Sequence, residues 1–398
     1  MSDLSLRCEQ EKVYNTGMVR QKQILLFQSM MTDDRYRGIQ QYAREHDWAL
    51  FIESDATRPP TGWRGNGVLA ALEDSAPVRR FMRELRGRGI PVVDLAEHYL
   101  HSTPARVTID NREIGRTAMR HFSVRGFRSV AFFSREWSRV HALRYAGLCE
   151  ADRAAVAGRK WIWQQGARGQ RNDMPAFSQW LTGRLVRAEK PLGLFCYNDL
   201  DAHCAINVCL SCGISVPDDV AVLGVDDNPL ICETAVIPIS SVRHAFFKIG
   251  YEGARMLDEL MSGNRLAART RRLPPGEVME RASTNAFGSS DPLLKKALVF
   301  MAGNLSRSIG SAEIAEGIGV TRAQLYACFA ANHSCQVNAE LMRQRMTAAK
   351  ALLRSGNQAI ADIAAKVGFC NASYFIATFR RRTGLTPLAY RKVHGKST

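Results

Sequence analysis

Glu313-Ile314-Ala315-Glu316-Gly317-Ile318-Gly319 and Asp362-Ile363-Ala364-Ala365-Lys366-Val367-Gly368 follow one pattern: an acid, Ile, Ala, two variable residues, a β-branched residue, Gly. After each Gly comes a short turn and a second apolar pattern, Leu325 with Phe329 in one copy and Phe375 with Phe379 in the other. The offset is 49 residues before the turn and 50 after it, so the second turn carries one extra residue. An internal repeat of this kind sets the reading of everything around it.

Each copy reads as helix, tight turn, helix. In the first, Ser311 is the expected N-cap, and Ile314, Ala315 and Ile318 form one apolar stripe. Gly319 stops that helix where the backbone needs a left-handed residue. Thr321 starts the next helix and, with Gln324 three places on, completes a capping box. In the second copy Asn371 is the expected cap of a helix running from Ala372 to Thr383. One such pair is an ordinary helical hairpin. Two copies joined by one helix, Val337 to Ser355, point to the helix-turn-helix, whose second helix enters a DNA major groove. Arg322, Ala323, Tyr326 and Ala327 then face outward on the first recognition helix, opposite Leu325 and Phe329. The second presents Asn371, Ser373 and Ala377 at its start and Arg380 toward phosphate, with Arg381 and Arg382 beside it.

These residues resemble the DNA-binding domain of AraC-type transcriptional regulators, which hold two helix-turn-helix units on a connecting helix. The resemblance is carried by Ala312-Glu313-Ile314-Ala315, Leu325 with Phe329, Ala349 to Leu353 and Asp362-Ile363-Ala364 with Val367-Gly368-Phe369. It continues through Tyr374-Phe375 with Phe379-Arg380, and closes on Gly384-Leu385-Thr386-Pro387-Leu388-Ala389-Tyr390-Arg391.

Charge agrees with a polyanionic partner. Of the formal +16 on 398 residues, the stretch from Asp291 onward holds 15 Lys and Arg against 5 Asp and Glu, a surplus of +10 that leaves +6 for everything before it. Length implies two or three domains. The ten cysteines lack the close, even spacing of a disulfide framework, residues 1–23 lack the apolar core of a signal peptide, and no apolar run reaches a membrane span. The expected location is the reducing cytoplasm.

Upstream, residues 1–20 read as an N-terminal extension. From 21 to 288 short apolar runs alternate with helical patterns. Strands are expected at Ile24–Phe27, Ala49–Ile52, Val68–Ala71, Pro91–Leu95, Val107–Ile109, Val130–Phe133, Trp161–Trp163, Leu192–Cys196 and Val220–Val225. Helices are expected at Arg35–Glu45, Val78–Arg88, Arg112–Phe122, Ala142–Ala157, Ala176–Arg187, Leu200–Cys212 and Phe246–Met261. That alternation implies parallel sheets covered on both faces, arranged as two α/β lobes. Gly288-Ser289-Ser290 breaks the pattern, and Asp291-Pro292 opens a helix with Asp as cap and Pro at the first position. The DNA-binding domain is therefore expected at 289–398.

The upstream region resembles the two-lobed periplasmic-binding-protein type I fold shared by sugar-binding proteins and lactose-repressor-type regulators. Cys196-Tyr197-Asn198-Asp199, Gly213 through Asp226, Ile239-Ser240-Ser241-Val242 and Lys248-Ile249-Gly250-Tyr251 carry it. The order, sensor first and AraC-type domain last, is similar to that of AraC-type sugar-operon activators, and Pro274 through Thr284 looks like their joining segment. The resemblance implies a transcription activator with xylose or a related monosaccharide as effector. It implies operator DNA, RNA polymerase and a second copy of the chain as partners, and neither cofactor nor membrane.

Ligands of open α/β sheets sit outside the carboxyl ends of the strands. Gln28, Asn198, Asp199 and Asp226 stand at such ends, and carboxylates and amides pair with sugar hydroxyls. Tyr36 and Trp137 are the aromatic candidates for a sugar face, and the resemblance implies a ligand-facing role for Arg144, at the start of its helix. Asn198 or Asp199 can equally serve as a helix cap. Related sugar binders have Arg two residues before Arg144; this chain has Ala142, so its specificity departs from theirs. Cys209 and Cys212 have the spacing of half a zinc site, yet lie in a helical pattern with no second pair. Gly62 to Gly67 precedes a strand and lacks phosphate-loop geometry. Three function classes stand against one another: a ligand-responsive regulator, a sugar- and DNA-binding protein with no link between the two, and a DNA-modifying repair protein. The last needs a Pro-Cys-His-Arg context or a four-Cys zinc site, and neither occurs.

Overall fold

The computed structural model describes residues 21–28, 33–53, 55, 58–99, 104–163, 173–264, 266–285, 291–332 and 336–394. The expected extension 1–20 and the Gly288-Ser289-Ser290 break lie outside them. Two compact units divide the chain. Unit 1 runs to Ile114 and takes back Trp137–Arg144 and Arg243–Gly276; unit 2 holds Gly115–Glu136, Tyr145–Val242 and the chain from Glu277 onward.

Through the first of these crossings the elements are β1 (Lys22–Gln28), α1 (Asp33–Glu45), β2 (Trp48–Glu53), β3 (Gly67–Ala71), α2 (Ala76–Gly87), β4 (Val92–Asp94), β5 (Ala105–Ile109) and α3 (Asn111–Val124). There follow β6 (Ser129–Ser134), α4 (Arg139–Ala151), α5 (Arg153–Val156), β7 (Lys160–Ile162), α6 (Met174–Arg187), β8 (Leu192–Cys196) and α7 (Asp199–Ser211). The region closes with β9 (Val220–Asp226), α8 (Pro229–Cys232), β10 (Ser240–Arg243), α9 (Phe246–Met261), β11 (Thr270–Leu273), β12 (Val278–Met279) and a 3₁₀ turn at Ala282–Thr284.

The strands make two six-stranded sheets of equivalent order, β2-β1-β3-β4-β5-β11 and β7-β6-β8-β9-β10-β12. The described pairings are parallel except β10 with β12, which is antiparallel. β6 and β8 are buried along their whole length, as strands covered on both faces must be. Phe132, Phe133 and Phe195 on them are fully buried, each contributing about 1.5–3 kcal/mol. In unit 1, α1 and α9 cross backbone against backbone. A Cβ on Gly38 would stand 2.1 Å from the Phe247 carbonyl oxygen, and one on Gly250 2.1 Å from that of Arg35. Only glycine fits either position. Strand order reverses between β1 and β3 in one sheet and between β6 and β8 in the other, which makes those carboxyl ends the natural ligand positions of each unit.

The expected two-lobed α/β architecture is present, with local corrections. The helix expected over Ala142–Ala157 starts at Arg139 and breaks at Asp152, whose carboxylate caps α5 by accepting from Ala155 N at 2.9 Å. β10, β11 and β12 were not expected as strands; each spans four residues or fewer, too short to show a period.

The remainder of unit 2 is all α: α10 (Pro292–Gly303), α11 (Ser311–Gly317), α12 (Arg322–Asn332), α13 (Val337–Ser355), α14 (Ile360–Lys366), α15 (Ala372–Thr383) and α16 (Pro387–His394). Asp291 caps α10 as expected, accepting from Leu293 N at 2.8 Å, with Pro292 at the first position. The helices enclose two small cores bridged by α13, which gives Val337 and Leu341 to the first and Met346, Ala349 and Leu353 to the second. Thus α13 is the connecting helix, with the bounds its sequence implies.

Candidate nucleic-acid interface and ligand site

In the first helix pair, Gly310 and not Ser311 is the N-cap of α11. Its N–H donates to the Glu313 carboxylate at 2.8 Å, while Ser311 is buried and accepts from the Tyr326 hydroxyl at 3.0 Å. Gly319 has φ 74, the left-handed turn residue. Thr321 and Gln324 form the expected reciprocal cap: Gln324 N donates to Thr321 Oγ1 at 3.2 Å, and Thr321 N to Gln324 Oε1 at 2.9 Å. Leu325 and Phe329 turn inward, which leaves Arg322, Ala323, Gln324, Tyr326 and Ala327 on the exposed face of α12.

In the second pair Asn371 caps α15, accepting from Tyr374 N at 2.7 Å, so its oxygen is engaged by the helix end. Ser373, Ala377 and Arg380 are exposed. Tyr374 and Ile376 are exposed as well, at 50% and 38%; neither was named as a DNA contact from the sequence. Arg380, Arg381 and Arg382 fill the last turn, where cations also favour the helix dipole.

At the carboxyl ends of β8 and β9, unit 2 brings Asn198, Asp199 and Asp226 together. Asn198 has become the cap of α7, accepting from Asp201 N at 2.8 Å. Asp199 is buried rather than capping: it accepts from Asn228 N at 2.8 Å and from Ser241 Oγ at 2.6 Å. Burial, then the neighbouring Asp226 carboxylate, push its carboxyl up to about 7. Gly224 makes the room, since a Cβ there would lie 2.3 Å from Asp199 Oδ1. Asp226 is only partly buried and takes φ 108, followed by Asp227 at φ 56. Two successive non-glycine residues at positive φ store about 1–3 kcal/mol each and mark a loop held in place by its surroundings.

In unit 1, β1 ends at Gln28, whose side chain lies outside the described residues. Tyr36 is half-buried on α1. Trp137 precedes α4, its ring 6.3 Å from that of His141. Arg144 lies more than a turn inside α4, not at its start, because the helix begins at Arg139. It is buried, and its Nε donates to Asn111 Oδ1 at 3.0 Å. His244 was missed. Its ring stacks on Phe246 at 3.7 Å and its Nδ1 is buried without a hydrogen-bond partner; burial, then Arg144, hold it well below the ordinary histidine range. A buried donor or acceptor in that condition is a ready ligand contact.

Also missed was a charged cluster within unit 2. Glu280, just after β12, pairs with Arg125, just past the end of α3, at 2.8 Å and with Arg343 of α13 at 3.2 Å, and accepts from Thr347 Oγ1 at 2.7 Å. Burial alone would raise the Glu280 carboxyl, but Arg125 and then Arg343 hold it below the carboxylate range. The next residue, Arg281, pairs with Asp227 at 2.8 Å and donates to the Ile239 carbonyl at 2.9 Å. Alongside, Arg128 donates to the Ala331 carbonyl of α12 at 2.9 Å, and Lys350 of α13 pairs with Glu277 at 2.5 Å.

An open groove of about 630 Å³ at β7 and α6 is lined by Arg159, Trp161, Trp180, Arg184 and their neighbours, and by none of the predicted ligand residues. Among the described residues no three His, Cys, Asp or Glu side chains converge on a metal position, and no helix is long and apolar enough to cross a membrane.

With this geometry the comparisons agree. The periplasmic binding protein-like domain family matches residues 119–284, and a helix-turn-helix domain family matches 314–393. Together the two matches place a periplasmic binding protein-like domain ahead of a helix-turn-helix domain in one chain. Over nearly its whole length the chain is similar to the xylose operon regulatory protein of Escherichia coli (strain K12), at 25% identity across 95% of this chain and 98% of that one. The protein of that name from Haemophilus influenzae is 23% identical, across 92% and 97%. The solved structure of the xylose-binding transcription activator xylR covers 96% of this chain and all of its own at a TM-score of 0.59 and 21% identity, a likeness of fold.

Proposed function

We propose that this chain is a sugar-controlled transcription activator of the cytoplasm. A monosaccharide, xylose or a related sugar, binds the sensor domain and changes the affinity of the two helix-turn-helix units for operator DNA. The observation that carries this is the single order of domains shared end to end with the xylose operon regulatory protein. Support also comes from the exposed Arg322 and Arg380 on helices presented as recognition helices are, and from the carboxylates and amides at the carboxyl ends of β8 and β9. Arg322, Ala323 and Tyr326 read bases; Asn371, Ser373 and Arg380 hold the second unit on the backbone. Asp226 of unit 2 and Arg144 of unit 1 are the principal sugar ligands; Asn198 and Asp199 in unit 2, and Gln28, Tyr36, Trp137 and the added His244 in unit 1, are the further ones. A homodimer and contact with RNA polymerase belong to the same reading.

The sugar acts only through a difference in affinity for two arrangements of the chain. A coupling of about 1–3 kcal/mol changes operator affinity roughly 5- to 150-fold at saturation. The test is titration of the full-length protein with DNA selected from a random pool, with and without whichever of D-xylose, L-arabinose and D-ribose binds by calorimetry. Identical isotherms would leave sugar-binding and DNA-binding modules with no regulatory link, the competing reading.

A further inference from the structure

Glu280 and Arg281 are neighbours in an extended stretch, where successive side chains leave on opposite sides. One grips the connecting helix α13, through Arg343 and Thr347. The other grips Asp227, in the loop that follows the candidate sugar ligand Asp226. The strand they leave, β12, pairs with β10 through Met279 and Ser241, and the Ser241 hydroxyl is bonded to both Asp199 Oδ1 and Asp227 N. The same stretch is fixed from beneath: Arg281 N donates to Ser240 Oγ at 2.8 Å, and Ser283 Oγ to the Val222 carbonyl at 2.6 Å. Every one of these contacts lies within unit 2.

We propose that Glu280 and Arg281 are the lever by which the sensor sets the DNA-binding domain: a change at Asp226–Asn228 moves Arg281, and Glu280 carries the change to α13. The proposal rests on the sugar-controlled reading above and says which residues do the controlling. Both are positioning residues; neither is among the sugar or DNA contacts proposed above. The stiffness of the path is what makes it suitable. A side chain held by two or three charge-assisted hydrogen bonds does not absorb a displacement; it passes it on or breaks. The loop at the other end is the element with two states, because Asp226 and Asp227 sit at positive φ and need their partners to stay there. α13 is the right recipient, since it contributes to both cores and hence positions both recognition helices together.

The distinguishing quantity is the coupling factor, the ratio of operator affinities with and without sugar, and not either affinity alone. In full-length protein Glu280→Gln and Arg281→Gln should each reduce that factor at least fivefold or bring it to one. Sugar affinity in the absence of DNA should stay within about threefold of wild type. Thr347→Val, which removes one hydroxyl and no charge, is the milder variant should either of the others fail to fold, and it should reduce the factor about twofold. Because the two residues act in series, Glu280→Gln/Arg281→Gln should couple no worse than the weaker single variant. Reciprocity requires the same losses when sugar affinity is measured with and without operator. Coupling at wild-type strength in the variants would overturn the lever while leaving sugar control intact. A wild-type protein that binds sugar but shows no coupling, or binds none of the three pentoses, would overturn the reading beneath it, and the lever with it.

Discussion

The two helix-turn-helix units repeat one pattern and are built to different tolerances. Gly319 and Gly368 hold equivalent turns at φ 74 and φ 75. A Cβ on Gly319 would meet nothing within 4 Å, whereas one on Gly368 would lie 2.1 Å from the Leu305 carbonyl oxygen and 2.7 Å from Arg345 Nη2. Arg345 itself holds the Arg307 carbonyl at 2.7 Å. The first turn faces open space; the second is packed beneath the link between α10 and α11. The first unit is instead fastened to the rest of unit 2 through Arg128 and Ala331, and through α13 at Arg343 and Thr347. A shared sequence pattern therefore records a shared local geometry, while the neighbours of each copy decide what it can lose.

The largest effect follows from the glycines. Gly319→Ala carries only the left-handed penalty, about 1–2 kcal/mol. Gly368→Ala adds a backbone clash to the same penalty and should cost about 3 kcal/mol or more. Urea midpoints of the two variants measure the difference. Equal losses would mean that the second turn is not pinned by Leu305 and Arg345, and the contrast between the units would fall.

Next in size is the fastening of the first unit. Glu280→Gln leaves Arg125, 4% exposed, and Arg343 with a neutral partner, at about 2 kcal/mol for a charged hydrogen bond weakened in a partly buried site. The sign with pH follows from the lowered Glu280 carboxyl. Its stabilisation is complete above the unfolded carboxylate value of about 4.3 and is lost as pH falls below it toward the folded value. Wild type and variant should therefore differ most near pH 7 and converge below pH 4. Amide exchange should quicken first in α12 and the first half of α13. Quickening confined to α15 would reverse the assignment of which unit the cluster holds.

What could be read in advance was whatever repeats or has a period. The bounds of α9, α13 and α15, the caps Thr321, Asn371 and Asp291, and most of the parallel strands follow from local chemistry within a few residues of each position. Ser311 was misplaced because Gly310, having no side chain, gives no cap signal; its partner Glu313 does the capping from the other side. Glu280 and Arg281 were legible only as part of a joining segment, and their contacts were not, since Arg125, Arg343 and Asp227 lie 155, 63 and 54 residues away along the chain. His244 was likewise silent, because an orphaned ring nitrogen is a property of its surroundings and not of a motif. Asn198 is the converse case: the sequence left a ligand role and a helix cap both open, and its oxygen caps α7.

The last effects are on DNA, and they divide between the units. Arg322 stands exposed at the first position of α12, where a recognition helix meets base edges, and a guanidinium gripping two acceptors of guanine discriminates by about 1–3 kcal/mol. Arg380 lies at the far end of α15, beside Arg381 and Arg382, where a cation meets phosphate. Arg322→Ala should lower the ratio of specific to random affinity, roughly 5- to 150-fold, with little change in salt dependence. Arg380→Ala should weaken both affinities together, keep their ratio, and reduce the salt slope by about 1. Tyr374→Ala separates the remaining possibility. Its ring is half exposed next to the cap Asn371, so a loss of specificity there equal to that of Arg322→Ala would mean that both units read sequence. The division of labour between a reading unit and a holding unit would then be wrong, although the difference in how the two turns are packed would stand.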